Sequence, residues 1–317
     1  MHTHPSPAIS VRGLSKSFGR QSVLGGIDLE VAAGTTFSLL GPNGAGKTTM
    51  VRIMTTLSNA DIGEVRIGGY DPVREADAVR GIIGVTGQFA AVDEILTGAE
   101  NLRLVGRLLH LGAAETGRRA SELLERFDLV AAADKRAGSY SGGMRRRLDL
   151  AMSLMGEPRI IFLDEPTTGL DPRSRRDLWD VIRGLVATGV TIFLTTQYLE
   201  EADQLADRIA VLDGGKIVAE GTPGELKQLV PGGHIQVAFT EQHDLRAAAR
   251  AVPGSEADID LLTLTVPSDG SVRDLRQLLD RFDDEAVTIG QLSIHTPDLD
   301  DVFFALTGST ARKATQR

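Results

Sequence analysis

The chain contains no cysteine. That excludes disulfides, thiol nucleophiles and cysteine metal sites, and it fits a reducing compartment. The first ten residues carry His and Pro but no apolar core of a signal peptide. No run approaches the roughly 20 apolar residues that span a bilayer. If the protein works at a membrane, another chain supplies the spanning part. Positive charge is not in excess either: 34 Lys and Arg against 43 Asp and Glu leave a net charge of -9. Binding along a nucleic-acid backbone is therefore disfavoured. No long-period repeat or low-complexity block interrupts the 317 residues, which suffice for two domains.

What is present begins with Gly41-Pro42-Asn43-Gly44-Ala45-Gly46-Lys47-Thr48-Thr49. It fits G-x-x-x-x-G-K-[ST], a phosphate-binding loop. Typical residue frequencies give about a 1% chance of such a match somewhere in a chain this long. The context is also right. Phe37 to Leu40 reads as a buried strand, and Met50, Met54 and Leu57 recur at helical spacing. The glycines let backbone N–H groups turn toward an anion, and the following helix adds the positive end of its dipole. Lys47 can reach the β- and γ-phosphates, and Thr48 can offer a hydroxyl to Mg²⁺.

Upstream, Ile9, Val11, Ile27, Leu29 and Val31 alternate as half-buried strands do. Phe18 lies between them; an aromatic there either stacks on a base or packs at an edge. Downstream, Gly63 to Gly69 and Gly81 to Val85 read as strands, the second ending at Gln88. The pattern then turns helical over about 89–156. Thr97-Gly98-Ala99-Glu100 is a capping box. Leu102, Val105 and Leu109 form one helix face, and Leu123, Leu124 and Phe127 another. Ser141-Gly142-Gly143 opens a helix with Leu148, Ala151, Met152 and Met155 on one side. Ser141 is a good N-cap, and two glycines leave N–H groups uncovered. That suits either an anion or a plain capped helix.

Arg159 to Pro166 is a continuous apolar run ending in Asp164 and Glu165. It predicts a parallel strand buried on both faces, with the acids at its carboxyl end, where such sheets bind ligands. Adjacent side chains at a strand end point in different directions. One acid can hold Mg²⁺ through water while the other faces an attacking water. Gly169 to Pro172 is a turn. Leu178, Val181, Ile182 and Leu185 form a helix, and Thr191 to Gln197 a further buried strand. Asp213-Gly214-Gly215-Lys216 is a hairpin signal, and Thr222-Pro223-Gly224-Glu225 caps one more helix. Pro231-Gly232-Gly233 marks a boundary. Beyond it the order is strand, helix, two short strands, helix, strand, which resembles a βαββαβ split sandwich. A last amphipathic helix covers Asp298 to Leu306, and the tail after Gly308 is polar and expected to be loose.

Together these residues resemble the ATP-binding cassette (ABC) ATPases over about residues 8–228. Phe18 matches the aromatic that stacks on adenine in that family. Gln88 matches the glutamine linking the nucleotide site to a transmembrane subunit, and it is placed with Thr48 and Asp164 around the metal. Tyr140 to Arg145 matches the signature, of which Ser141, Gly142 and Gly143 contact the γ-phosphate of a second copy. Asp164 matches the Mg²⁺-site aspartate, Glu165 the catalytic base, and Asp171 the dimer-interface loop. Lys47 and Gln197 join Glu165 in the catalytic set. The nucleotide set adds Gly41 to Thr49 (Gly41, Pro42, Asn43, Gly44, Ala45, Gly46, Lys47, Thr48 and Thr49).

The resemblance implies an α/β P-loop NTPase cassette over 1–230. It would combine a mixed sheet core, an antiparallel β subdomain and a helical subdomain. A small α+β domain of ferredoxin-like order, regulatory or dimerising, would follow over 231–308, with a flexible tail at 309–317. Two departures stand out. The signature is usually Leu-Ser-Gly-Gly-Gln, whereas Tyr140 and Met144 replace its ends here. Gln197 stands where the family usually has His; it can donate a hydrogen bond but cannot carry a proton.

Two stretches narrow the match: Thr195 to Asp203, and His295 to Phe303. Both are similar to the daunorubicin/doxorubicin resistance ATP-binding subunits. That resemblance implies ATP and Mg²⁺, a cassette homodimer, a separate permease, the cytoplasmic face of the membrane and export of a hydrophobic drug or antibiotic. No direct nucleic-acid partner is expected. The alternative is a non-transport ABC ATPase acting on ribosomes or nucleic acid. Such chains usually carry two cassettes, coiled-coil inserts or zinc cysteines.

Overall fold

A computed structural model describes residues 7–88, 90–229, 233–268, 271–295 and 298–314. The chain divides into two compact units, Met1–Pro223 and Gly224–Arg317. Of the boundary expected at Pro231-Gly232-Gly233, Pro231 and Gly232 lie outside the described residues, as does residue 89.

The first unit starts with β1 (Ile9–Phe18) and β2 (Gln21–Val31), then β3 (Thr36–Leu40), α1 (Lys47–Met54), β4 (Ile62–Ile67), α2 (Ala76–Arg80) and β5 (Ile83–Thr86). Three helices follow, α3 (Gly98–Leu108), α4 (Ala113–Arg126) and α5 (Gly142–Ser153). The sheet resumes with β6 (Ile160–Asp164), α6 (Pro172–Ala187), β7 (Thr191–Thr196), α7 (Leu199–Leu205), β8 (Arg208–Asp213) and β9 (Lys216–Gly221), and α8 (Pro223–Lys227) comes next. β2-β1-β4 make an antiparallel sheet. The main sheet has the order β5-β6-β7-β3-β8-β9, parallel except for β9.

Alternation along the buried strands divides the packing between two cores. Phe37, Phe162 and Phe193 face the antiparallel sheet and α1, with ring centroids 5.7 and 5.6 Å apart. Ile161, Leu163, Ile192 and Leu194 point the other way, into a core shared with Leu102, Leu124, Phe127, Leu148, Met155 and Leu178. Side chains of period two serving both faces are what a fully buried parallel strand requires.

The capping box at α3 forms: Thr97 Oγ1 accepts from Glu100 N–H at 3.1 Å, and Glu100 accepts from Thr97 N–H at 2.8 Å. Two helix ends differ from the sequence pattern. Leu57 lies beyond α1 and is 65% exposed. The helix stops because Thr55 turns its hydroxyl back onto Val51 O at 2.8 Å and Thr56 adopts φ 66°. Leu109 is exposed likewise, next to His110 at φ 57°.

The second unit contains β10 (His234–Ala238), α9 (Gln242–Ala251), β11 (Glu256–Asp258), β12 (Thr263–Pro267), α10 (Val272–Asp284), β13 (Gln291–His295) and α11 (Leu299–Ala314). Its sheet is antiparallel, in the order β11-β12-β10-β13, with the two central strands being the first and third of the unit. Its core gathers Ile235, Val237, Leu245, Leu264, Leu278 and Phe282. Val287 belongs to that core, but the last strand begins only at Gln291. The final helix passes the expected end at Leu306 and continues to Ala314. Ala311, Arg312, Lys313 and Ala314 are all good helix formers, and residues 309–314 continue the helix.

Candidate functional site

Strand register brings the predicted residues to one edge. Leu40 pairs with Thr196 and Asp164 with Thr195, so the phosphate loop, the two acids and Gln197 all leave the sheet at the same carboxyl end. Glycine is required at two points in the loop. A Cβ on Gly41 would run into the carbonyl oxygen of Leu212. Gly46 has φ 112°, and a Cβ there would lie 2.7 Å from Leu24 Cδ2 and 2.9 Å from Val23 O. Lys47 opens α1 and is buried, 4% exposed. Its ammonium donates to Gly41 O at 2.7 Å and Pro42 O at 3.1 Å, and sits 3.3 Å from Glu165 Oε1.

The adjacent acids diverge. Asp164 Oδ1 accepts from the Thr195 hydroxyl at 2.5 Å. Glu165 adopts φ 50°, a left-handed backbone that costs about 1–3 kcal/mol for a residue with a side chain. Its N–H donates to Thr195 O at 3.0 Å, and Thr168 Oγ1 donates to its Oε2 at 3.3 Å. The backbone turn thus sends Asp164 toward β7 and Glu165 toward Lys47.

A cavity of about 390 Å³ lies over the loop. Phe18, Val23, Asn43, Gly44, Gly46, Lys47, Thr48, Thr49, Gln88 and Glu165 line it. Phe18 is 57% exposed, and Lys16 Nζ stands 5.3 Å from its ring centroid, held by Asp61 at 2.7 Å. Gly41, Pro42, Ala45, Asp164 and Gln197 are not among the residues that line it.

The signature residues and Asp171 lie elsewhere in the unit. Ser141 caps α5, accepting from Met144 N–H at 3.2 Å. Gly142 is exposed, and a Cβ on Gly143 would meet Ser174 Oγ at 2.6 Å, so glycine there lets α5 approach the start of α6. Asp171 caps α6, accepting from Arg173 and Ser174 N–H groups at 3.0 Å and from the Ser174 hydroxyl at 2.6 Å. The Ser174 hydroxyl and amide hold its carboxyl below the usual range. Tyr140, replacing the family's leucine, is buried and donates to Ala132 O at 2.6 Å.

Sequence reasoning did not find Val23, Thr168 or Thr195. Nor did it find Glu201, fully buried on α7, where Trp179 Nε1 donates to its Oε1 at 3.3 Å. Burial pushes its carboxyl up, against hydroxyls of Thr196 and Thr167 and the charge of Arg175. A glutamate inside an apolar helix face, beside a strand end, was the available signal.

A phosphate cradle, a buried lysine and a paired glutamate define a nucleoside-triphosphate hydrolase of the P-loop class. Comparison with known proteins narrows this. The family model described as ABC transporter matches residues 24–168. The daunorubicin resistance ATP-binding protein DrrA3 of Streptomyces coeruleorubidus is 50% identical over 96% of this chain and 97% of its own length. The daunorubicin/doxorubicin resistance ATP-binding protein of Streptomyces peucetius is 45% identical over 98% and 96%. A dimeric ATP-binding cassette solved in a post-hydrolysis state with ADP and Pi aligns at TM-score 0.61 and 26% identity, covering 68% of this chain and 98% of that one. The chain belongs to the ATP-binding proteins of the ABC transporter family, on the branch of the daunorubicin/doxorubicin resistance subunits. It is an ATPase subunit of an ABC transporter. Among the described residues no helix is long and apolar enough to cross a membrane.

Proposed function

We propose that this chain works as a homodimer on the cytoplasmic face of the membrane, driving export of a hydrophobic drug or antibiotic through a separate permease chain. The names of the drug-resistance relatives support the substrate class. The observation that carries the mechanism is the 3.3 Å contact between Lys47 and Glu165 at the floor of the cavity.

Adenine stacks on the exposed face of Phe18, and the phosphates enter the loop. Lys47 then leaves Glu165 for phosphate oxygens, which are its stronger partners. Glu165, released, turns to orient and deprotonate the attacking water. Mg²⁺ fits the donors present: a Thr48 hydroxyl and the Asp164 carboxylate are hard oxygen ligands, Asp164 reaching it through water. Bound by these residues, the ion would supply positive charge against the phosphate oxygens. Gln88 lines the cavity, and through it nucleotide binding is passed on to the permease. Ser141, Gly142 and Gly143 lie off the cavity of their own chain. An exposed helix start of this kind serves as the cover for a partner's γ-phosphate. Gln197, half-buried at the end of β7, completes the set as a hydrogen-bond donor to that phosphate.

The test is Glu165→Gln. Turnover falls about 10²–10⁴-fold while ATP still binds. Near-normal turnover in that variant refutes the assignment of the base. Copurification with ribosomes rather than membranes would refute the transport reading.

A further inference from the structure

The geometry assigns a positioning role to Arg146 and Asp149: this pair ties the loop carrying Gln88 to the turn carrying Glu165 and to the helix that Ser141 opens. It rests on the reading of Glu165 as base and of Gln88 as the permease-linked residue. Arg146 and Asp149 are one turn apart on α5, 7% and 4% exposed, with Nη1 and Oδ2 3.3 Å apart.

Their partners explain why such a pair is buried. Asp149 Oδ1 accepts from Ala91 N–H at 2.9 Å, and Arg146 Nη1 donates to Gly87 O at 2.7 Å. The chain is therefore gripped on both sides of Gln88. The rest of the guanidinium reaches the other loop. Nε donates to Pro166 O at 2.7 Å, and Nη2 to Asp164 O at 3.3 Å and Glu165 O at 3.4 Å. One planar fork thus serves the carbonyls of three consecutive residues, the middle one in a left-handed backbone.

Burial pulls the guanidinium down and the Asp149 carboxyl up. A buried ion pair is a weak source of stability, and an apolar pair of similar volume often does as well. What an apolar pair cannot do is hold backbone groups on two loops at once. A lysine could not either, since its ammonium is a compact point donor without a fork. A displacement of the Gln88 loop must therefore carry α5 with it or pull on the Glu165 turn. Neither Arg146 nor Asp149 lines the cavity, so the pair acts through Glu165 and Gln88.

The test uses the full chain with Arg146→Lys and Asp149→Asn. For Arg146→Lys we expect kcat to fall about 10–100-fold with KM for ATP within about twofold, the pattern of a misplaced reacting group. Amide exchange should quicken at residues 87–91 and 164–168 and stay unchanged in β1, β2 and β4. Asp149→Asn should quicken exchange at 87–91 with a smaller loss of kcat. A wild-type kcat in Arg146→Lys overturns the role. So does a loss of kcat accompanied by faster exchange throughout the unit, which marks a purely structural residue. If Arg146→Lys does not fold, Arg146→Gln carries the same readouts. Glu165→Gln run in parallel separates the two readings. If it is impaired while Arg146→Lys is normal, only the positioning role fails; if it is itself normal, the base assignment fails.

Discussion

Replacing Glu165 by Gln should do more than slow hydrolysis: it should tighten nucleotide binding. Lys47 Nζ lies 3.3 Å from Glu165 Oε1, with side-chain exposures of 3% and 8%. An arriving phosphate has to win the ammonium from that carboxylate. Close charge pairs removed from solvent couple by about 1.5–7 kcal/mol. This pair, 3.3 Å apart, is an ion pair without a hydrogen bond, so the lower end applies, about 1.5 kcal/mol. Since about 1.4 kcal/mol is tenfold, the equilibrium dissociation constant for ATP should fall about tenfold in Glu165→Gln. The same change leaves Lys47 facing only two neutral carbonyls, so the nucleotide-free variant should melt lower than wild type, and ATP should raise its melting temperature by more. The assay is an equilibrium titration with a fluorescent nucleotide, combined with melting curves with and without ATP. A cycle with Lys47→Ala supplies the control: once the lysine is gone, Glu165→Gln should no longer change affinity. Unchanged or weaker binding in the single variant, or full tightening in the Lys47→Ala background, would refute competition for the ammonium.

Gly46→Ala and Gly44→Ala should differ in melting temperature: Gly44 at φ 82° has open space around a Cβ, whereas Gly46 meets Leu24 and the Val23 carbonyl. Strain alone costs about 1–3 kcal/mol and crowding adds about as much, so Gly46→Ala should melt lower; equal melting would show that the crowding at Gly46 carries no cost. Tyr140→Phe removes the donor to Ala132 O, buried at 2.6 Å, and should cost about 1–2 kcal/mol in chemical denaturation; a neutral result would mean water replaces the hydroxyl. Glu201 has its folded pKa raised by burial, so its contribution is fully present below its unfolded value near 4.5 and is lost as pH rises through the folded value. The melting temperature of wild type minus that of Glu201→Gln should therefore grow as pH is lowered toward 5, and a flat difference would contradict it. For Gln197, Ala should slow hydrolysis more than His does; the reverse order in steady-state rates would remove it from the phosphate contacts.

What could be read from the residues in order was whatever is local in sequence. The phosphate loop is one continuous motif, and Asp164 and Glu165 end an apolar run, so both were visible without a structure. The helix caps Thr97 and Ser141 were visible for the same reason: their donors lie three positions away. Thr195 was hidden because it reaches Asp164 through strand register, 31 positions along the chain. Arg146 was hidden twice over. Its carbonyl partners lie 20 and 59 positions away, and an arginine within Arg145-Arg146-Arg147 reads as a solvated helix face. Leu57 failed in the opposite sense: periodicity continued past α1, but the Thr55 hydroxyl and the positive φ of Thr56 had already turned the chain. Asp171 was expected in a dimer-interface loop from the resemblance alone; its place as the cap of α6 was not read, since a carboxylate ahead of Pro172 serves either purpose.

Two buried ion pairs flank the Glu165 turn, and they differ in whether a substrate can stand in for one partner. Lys47 holds the Glu165 side chain, and phosphate oxygens can take that lysine because they satisfy the same charge. Arg146 holds the Glu165 backbone, and nothing in the nucleotide resembles the three carbonyls it serves. The left-handed backbone at Glu165 therefore survives the exchange: Thr195 accepts its N–H, and Arg146 donates to its carbonyl. The carboxylate can change partners while its Cα stays fixed. On the proposed mechanism, a base released by the arrival of its substrate, on a backbone held by these contacts, is poised only when the γ-phosphate is present. Contact between Lys47 and Glu165 would then act as the restraint on idle water activation, and the strain at φ 50° would be the cost of aiming one side chain at two successive partners.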